Sequence, residues 1–291
     1  MPPIITMNKT QGLIKDYPSA RDFFITKFNK KLIRFLPKNH PPTQIYHDPA
    51  LYYEKLNGIY LRKVARSLLA KTSQWSIHEV MNFVPYIFLN IPERSLQMSS
   101  IFYMMYHYHE ISDEISNLNI FKNWIETGLF DKDSLVDFCE YCLMPFINDK
   151  QSWIALIINW AKDPHPNIRR ASALAIRKCA IDKNKAPLAL EVCRLLLDNC
   201  EEKEIQNAIG QVMRQVGKKR KAMLRAFLEE HLHRIPRNSL RAGLARMSRK
   251  EQDYYMMEHE FKAEKKRNKK HKTLILMESF EKSLGNKKEE E

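Results

Sequence analysis

The chain has 291 residues, 44% of them hydrophobic and 28% charged, which is material for one large folded domain or two modest ones. Only 7 are glycine, which argues against sandwiches, barrels and nucleotide-binding α/β folds, since those need glycine at turns and phosphate loops. Lys and Arg outnumber Asp and Glu by 48 to 34, and the net charge of +14 favours polyanionic partners, chiefly nucleic acid or an acidic membrane surface, without setting a fold or a chemistry.

The first 48 residues combine Pro37, Pro41 and Pro42 with the basic amphipathic patch FITKFNKKLIRFL. That patch is readable as a capping helix, a DNA contact or a membrane-surface helix. The start MPPIITMNKTQ lacks the basic segment and apolar run of a secretory signal. Val80 to Leu89 is too short for a membrane span and contains Asn82 and Pro85. With five irregularly spaced cysteines and no disulfide framework, the expected setting is the cytoplasm.

Helical periodicity dominates from about Pro49. LYYEKLNGIYLRKVARSLLA and QSWIALIINWAK place apolar residues three and four apart with polar ones between. Ser76 followed by Glu79 predicts a capping box, and Pro92, Pro166 and Pro236 sit where helices should begin. Towards the end, KAEKKRNKKHK and KKEEE flank the apolar island LILMESF, which predicts a basic, partly helical tail with a disordered end. The expected division is an N-terminal extension over 1–48, a helical-repeat domain over 49–250 and a tail over 251–291.

The helices also repeat. Segments ending at Gln97, Asp137, Arg170, Asn207 and Arg241 each run from a polar helix start through one or two apolar residues to a polar one. Their ends are 40, 33, 37 and 34 residues apart, intervals that suit helix pairs of the HEAT or armadillo type. The fold expected is an all-α, HEAT/armadillo-like helical-repeat solenoid with a basic concave face. In this register the five residues form a polar row.

Among the chemistry-bearing motifs, Cys139 and Cys142 form a CxxC with no second pair of ligands, and two small residues on a buried helix face is the better reading. His107 and His109 lie in the aromatic segment YMMYHYHE, which reads as a packed helix. No glycine-rich phosphate loop, GxSxG or HExxH occurs, so no metal and no cofactor is expected. Asp137 is the candidate carboxylate, in the same row as the basic residues Arg170 and Arg241.

From Trp160 to Met247 the sequence resembles the AlkD-type DNA alkylation-repair glycosylases, a family built from HEAT-like repeats. WAKDPHPNIRRASALAIRK is similar to that family's Trp-rich helix end, turn and Arg-Ala-Ala helix. EIQNAIGQVMRQVGKKRKAMLRAFLEEH and IPRNSLRAGLARM are similar to two later helices, and LNGIYLRKVARSLLAK to the family's first one. The resemblance covers about residues 50–250. It implies that Asp137, closing Asp133-Ser-Leu-Val-Asp137, is the catalytic aspartate and that Arg170 faces DNA. Asp133, Asn167 and Gln211 stand where the family has aromatic residues.

The function read from these features is hydrolysis of the N-glycosidic bond of cationic N3- or N7-alkylated purines in duplex DNA, with Asp137 stabilising an oxocarbenium-like sugar and orienting water. Arg169, Arg170, Gln211, Lys218, Lys219, Arg220 and Arg241 are the expected DNA contacts, independent of sequence. The remaining expectations are a monomer, no membrane partner and a cytoplasmic, nucleoid-associated location. The alternative is a non-catalytic HEAT-repeat module that binds nucleic acid or protein.

Overall fold

The structure, a computed structural model, describes residues 13–32, 58–112 and 116–265. Among the described residues there are helices and no strand, so the chain is an all-α helical-repeat protein. It divides into two compact units, 1–176 and 177–291, and the repeat run expected over 49–250 is shared between them. Pro37, Pro41, Pro42 and the island LILMESF lie outside the described residues.

The first unit opens with α1 (Tyr17–Leu32), whose first turn is capped by Asp16 Oδ1 accepting from the Ser19 amide at 2.8 Å. Phe24 and Phe28, within the amphipathic patch, are fully buried. Phe24 packs its ring 5.9 Å from that of Phe83, and Tyr17 meets Trp75 edge-on at 5.3 Å. The apolar face of its described part is already covered, which argues against the membrane-surface reading of this patch and leaves the capping-helix and DNA-contact readings.

There follow α2 (Gly58–Leu69), α3 (Ile77–Asn90), α4 (Arg94–Met105), α5 (Tyr108–Ser112), α6 (Asn117–Glu126) and α7 (Lys132–Phe138). A π-helical turn over Cys139–Leu143 leads into α8 (Met144–Asp149), α9 (Gln151–Trp160) and α10 (Pro166–Ile176). The predicted capping box at Ser76 and Glu79 is present at the start of α3. Pro166 is the first residue of α10, whereas Pro92 stands two residues before α4.

The second unit contains a 3₁₀ turn (Cys179–Ile181), α11 (Ala186–Leu196), α12 (Lys203–Lys219), α13 (Lys221–His231), α14 (Arg237–Leu244) and α15, helical over 249–265. Residue 250, the expected start of the tail boundary, falls inside α15. Glu251 caps that helix, accepting from the Ser248 amide at 2.9 Å and hydroxyl at 2.6 Å, and pairs with Arg225 at 2.6 Å. Those hydrogen bonds, with Ser248 first, hold the Glu251 carboxyl down to about 2.

One local device recurs through both units. A polar side chain in a first helical turn donates back six residues, to a carbonyl at the end of the previous helix or in the turn that follows it. Gln97 donates to Ile91 O at 3.0 Å, Asn117 to Ile111 O at 2.9 Å, Arg169 to Asp163 O at 3.0 Å and Gln206 to Cys200 O at 3.0 Å. Counted from the helix starts, three of these donors share one position, while Asn117 is the first residue of its helix. Gln97 matches Arg169 and Gln206 as a fourth helical residue, while Arg170, Asn207 and Arg241 are fifth and Asp137 is sixth. The polar row expected from sequence is therefore one position out at Gln97 and at Asp137.

Candidate active site

Asp137 is held by a rigid support. Asp131 caps α7, accepting from the amides of Asp133 at 3.0 Å and Ser134 at 2.7 Å. The helix buries Leu135 and Phe138, and the Phe138 ring stacks on Phe130 at 4.4 Å and meets Phe121 edge-on at 5.4 Å. Immediately after Asp137 the backbone relaxes into the π turn, an irregularity that is frequent at functional sites. Within it Tyr141 packs against Phe102 at 5.0 Å, and the Arg62 guanidinium lies 4.9 Å from the Tyr141 ring centre.

The Asp137 side chain is 18% exposed, and its Oδ2 accepts from Arg94 Nη2 at 2.6 Å. Arg94 begins α4, one repeat earlier, and its other terminal nitrogen lies 3.9 Å from Asp133 Oδ2. Burial pushes the Asp137 carboxyl above the usual carboxylate range; Arg94 works against that, while Glu140, Asp133 and Asp131 add to it. The result is a half-buried carboxyl in an acidic neighbourhood, paired with Arg94. Such a group is poised to stabilise a neighbouring positive charge.

The adjacent arginines of α10 have different placements. Arg169 is 3% exposed, and its Nη1 donates to the carbonyls of Asp163 at 3.0 Å and Pro164 at 2.8 Å. The same turn is tied by Asp163, which pairs with Lys122 at 2.7 Å and accepts from the His165 amide at 2.9 Å. Arg169 was expected at a phosphate; its guanidinium is committed to the turn instead. Arg170 is half-buried and donates to Lys132 O at 2.9 Å, on the first turn of α7. The structure thus brings Arg170 to the helix that carries Asp137.

These placements separate two substitutions. Arg169→Leu should cost about 1–3 kcal/mol of stability, because two carbonyls lose their donor, with the salt dependence of DNA binding unchanged. Arg170→Gln should melt like the wild type and lower the log–log salt slope by about one. Thermal melts with anisotropy titrations at several salt concentrations check both; a reduced slope in Arg169→Leu would contradict the assignment.

The other expected contacts belong to the second unit. Gln211 is half-buried on α12, and its Oε1 accepts from an Arg177 guanidinium nitrogen. It lines a cavity of about 400 Å³ with Arg177, Arg214, Gln215, Lys218 and Arg246. Lys219 is exposed at the end of α12, Arg220 is half-buried at the junction with α13, and Arg241 is exposed on α14. Sequence reasoning missed Arg94, Arg177, Arg214 and Arg246. Gln211, Arg214, Gln215 and Lys218 do share one helical face by their spacing of three and four, so that part of the signal was present.

A family described as DNA alkylation repair enzyme matches residues 57–247. The chain belongs to that family. No curated protein matches it. The matched span contains Asp137, Arg170 and Gln211, and runs from the residue before α2 to the turn after α14.

The departures from the aromatic pattern of the AlkD-type repair enzymes can now be placed. Asp133 is 82% exposed beside Arg94, Asn167 is half-buried in the first turn of α10, and Gln211 has exchanged an aromatic face for a hydrogen bond to arginine. The CxxC of this family member is buried, and burial pushes the Cys142 thiol well up. Its Sγ donates to Ile101 O at 3.6 Å, a packing role. His107 sits 2.8 Å from a Glu110 carboxylate oxygen and edge-on to Tyr103. Among the described residues no helix is long and apolar enough to cross a membrane.

Proposed function

We propose that the chain is a DNA glycosylase that removes cationic N3- or N7-alkylated purines from duplex DNA. Membership of a DNA alkylation repair family supports the substrate polymer. The observation that carries the chemistry is the half-buried Asp137 carboxyl, paired with Arg94 and supported by a packed aromatic cluster. In an alkylated purine of this class the base already carries a positive charge. The glycosidic bond breaks with its electron pair leaving on the base, which departs neutral. The sugar becomes an oxocarbenium-like cation, water adds at its anomeric carbon, and that water releases a proton. Asp137 stabilises the sugar cation and orients the water; no acid is needed for the leaving group.

Arg170, Lys218, Lys219, Arg220 and Arg241 supply sequence-independent contacts to phosphates, and Gln211 acts through Arg177. Arg169 supports Arg170 by fixing the turn before it. The reading uses a monomer and no cofactor. A non-catalytic DNA-binding module is favoured by one observation, the pairing of Asp137 with Arg94, which also suits a purely structural ion pair.

Selectivity separates the two. One duplex carrying 7-methylguanine and another carrying the neutral lesion O6-methylguanine are incubated with excess protein, and free base is measured. The glycosylase releases only the cationic base. Binding of both duplexes with release of neither establishes the module.

A further inference from the structure

The cavity around Gln211 holds more positive charge than the single duplex contact assigned to Lys218 needs. Its six lining residues are four cations, Arg177, Arg214, Lys218 and Arg246, and two amides, Gln211 and Gln215. Among the described residues no carboxylate lines it. Arg214, Lys218 and Arg246 also make no ion pair with any described residue. Several other arginines of the same unit are matched: Arg194 pairs with Glu191 at 2.6 Å, Arg225 with Glu251 at 2.6 Å and Arg237 with Glu260 at 2.6 Å. Cations collected in a concavity repel one another, and the natural remedy is an anion bound from outside. Gln211 accepts from Arg177 and holds that guanidinium in the lining.

The size and charge select the anion. A volume of about 400 Å³ exceeds what one bridging phosphate on an uninterrupted backbone needs to fill, and falls in the range of pockets that enclose a small ligand. A terminal phosphomonoester can enter such a cavity end-on. It also presents three non-bridging oxygens and about two negative charges at neutral pH, against two oxygens and one charge for an internal phosphodiester. Arginine is suited to grip such a group with paired donors.

We propose that this pocket binds the terminal phosphate of a nucleic-acid strand, a phosphomonoester site in the place where the resembling family puts an aromatic residue. The assignment does not depend on the role of Asp137. A repair protein holding it recognises strand ends as well as intact duplex.

The test uses the full chain and short oligonucleotides that differ only at one end: 5′-phosphate, 3′-phosphate or hydroxyl. Binding is read by anisotropy from a dye at the other end, with inorganic phosphate as competitor. One phosphorylated end should bind about tenfold more tightly than the hydroxyl end, as a further charge-assisted contact implies. Inorganic phosphate should erase that difference. The pair Arg214→Gln/Arg246→Gln, both exposed and tolerant of substitution, should bring the ratio to one. Lys219→Gln, exposed on the same helix outside the cavity, should weaken all probes and keep the ratio. A ratio near one in the wild type, or one that survives Arg214→Gln/Arg246→Gln, overturns the proposal. Base release from hydroxyl-ended duplex reads Asp137 independently, so either idea can fail alone.

Discussion

Asp137→Asn is expected to fold like the wild type and to release alkylated base about 10²–10³-fold more slowly, the loss typical of removing one preorganised electrostatic group. Asn keeps the size and removes the charge. A capping role cannot mask the effect, because Asp131 is the N-cap of α7 and Asp137 is its sixth residue. The linkage argument points the same way. A carboxyl whose pKa is raised in the fold contributes stability fully below its unfolded value, and that contribution is lost as pH rises through the raised pKa. Once ionised, Asp137 therefore adds nothing to stability by this route, and a neutral amide should leave the melting temperature within a few degrees.

Arg94 supplies the complementary arm. It lowers the Asp137 pKa against burial, so Arg94→Gln should raise that pKa further. The acid side of the rate profile for base release then moves to higher pH, after the spontaneous rate is subtracted. Profiles of the two proteins that superimpose would show that Arg94 does not set the ionisation of Asp137.

Gly210→Leu should unfold the second unit or lower its melting temperature severely. A Cβ at Gly210 would lie 2.7 Å from the Ala242 Cβ, 3.0 Å from Ser239 O and 3.2 Å from Ser239 Cα. These are backbone and near-backbone atoms of α14, fixed further by Ser239 Oγ donating to Gln206 O at 2.7 Å. The two helices can only separate. Gly210→Ala should already cost about 1–3 kcal/mol, and each kcal/mol corresponds to about 4 °C in a unit of this size. Gly58→Ala is the control, since nothing lies within 4 Å of its added Cβ. Circular-dichroism melts decide it; indistinguishable curves for Gly210→Ala and wild type would mean that α12 and α14 are not packed this closely.

Local rules made much of this legible in advance. Ser76 and Glu79 form their capping box because both partners lie within one turn. Pro166 opens α10 because its missing N–H costs nothing at a first helical position. What stayed hidden depends on rotation and on distance along the chain. Arg169 and Arg170 look alike in sequence, yet neighbours on a helix point about 100° apart, so one is buried on a turn and the other reaches α7. Arg94 and Asp137 are 43 residues apart, and Arg177 and Gln211 are 34 apart. Such pairs can be found only with the repeat register in hand, and the sequence pattern placed that register one residue out at Gln97 and Asp137. Departures from an aromatic pattern showed what Gln211 had lost, and only the assembled unit showed the basic cavity it had joined.

The most direct test of Asp137-dependent base excision is single-turnover release of free 7-methylguanine from a methylated duplex, with protein in excess and occupancy measured in parallel. The wild type should release the base faster than DNA alone, and Asp137→Asn at equal occupancy should fall to or near the DNA-alone rate. A saturated wild-type complex that releases base no faster than naked DNA would contradict the account.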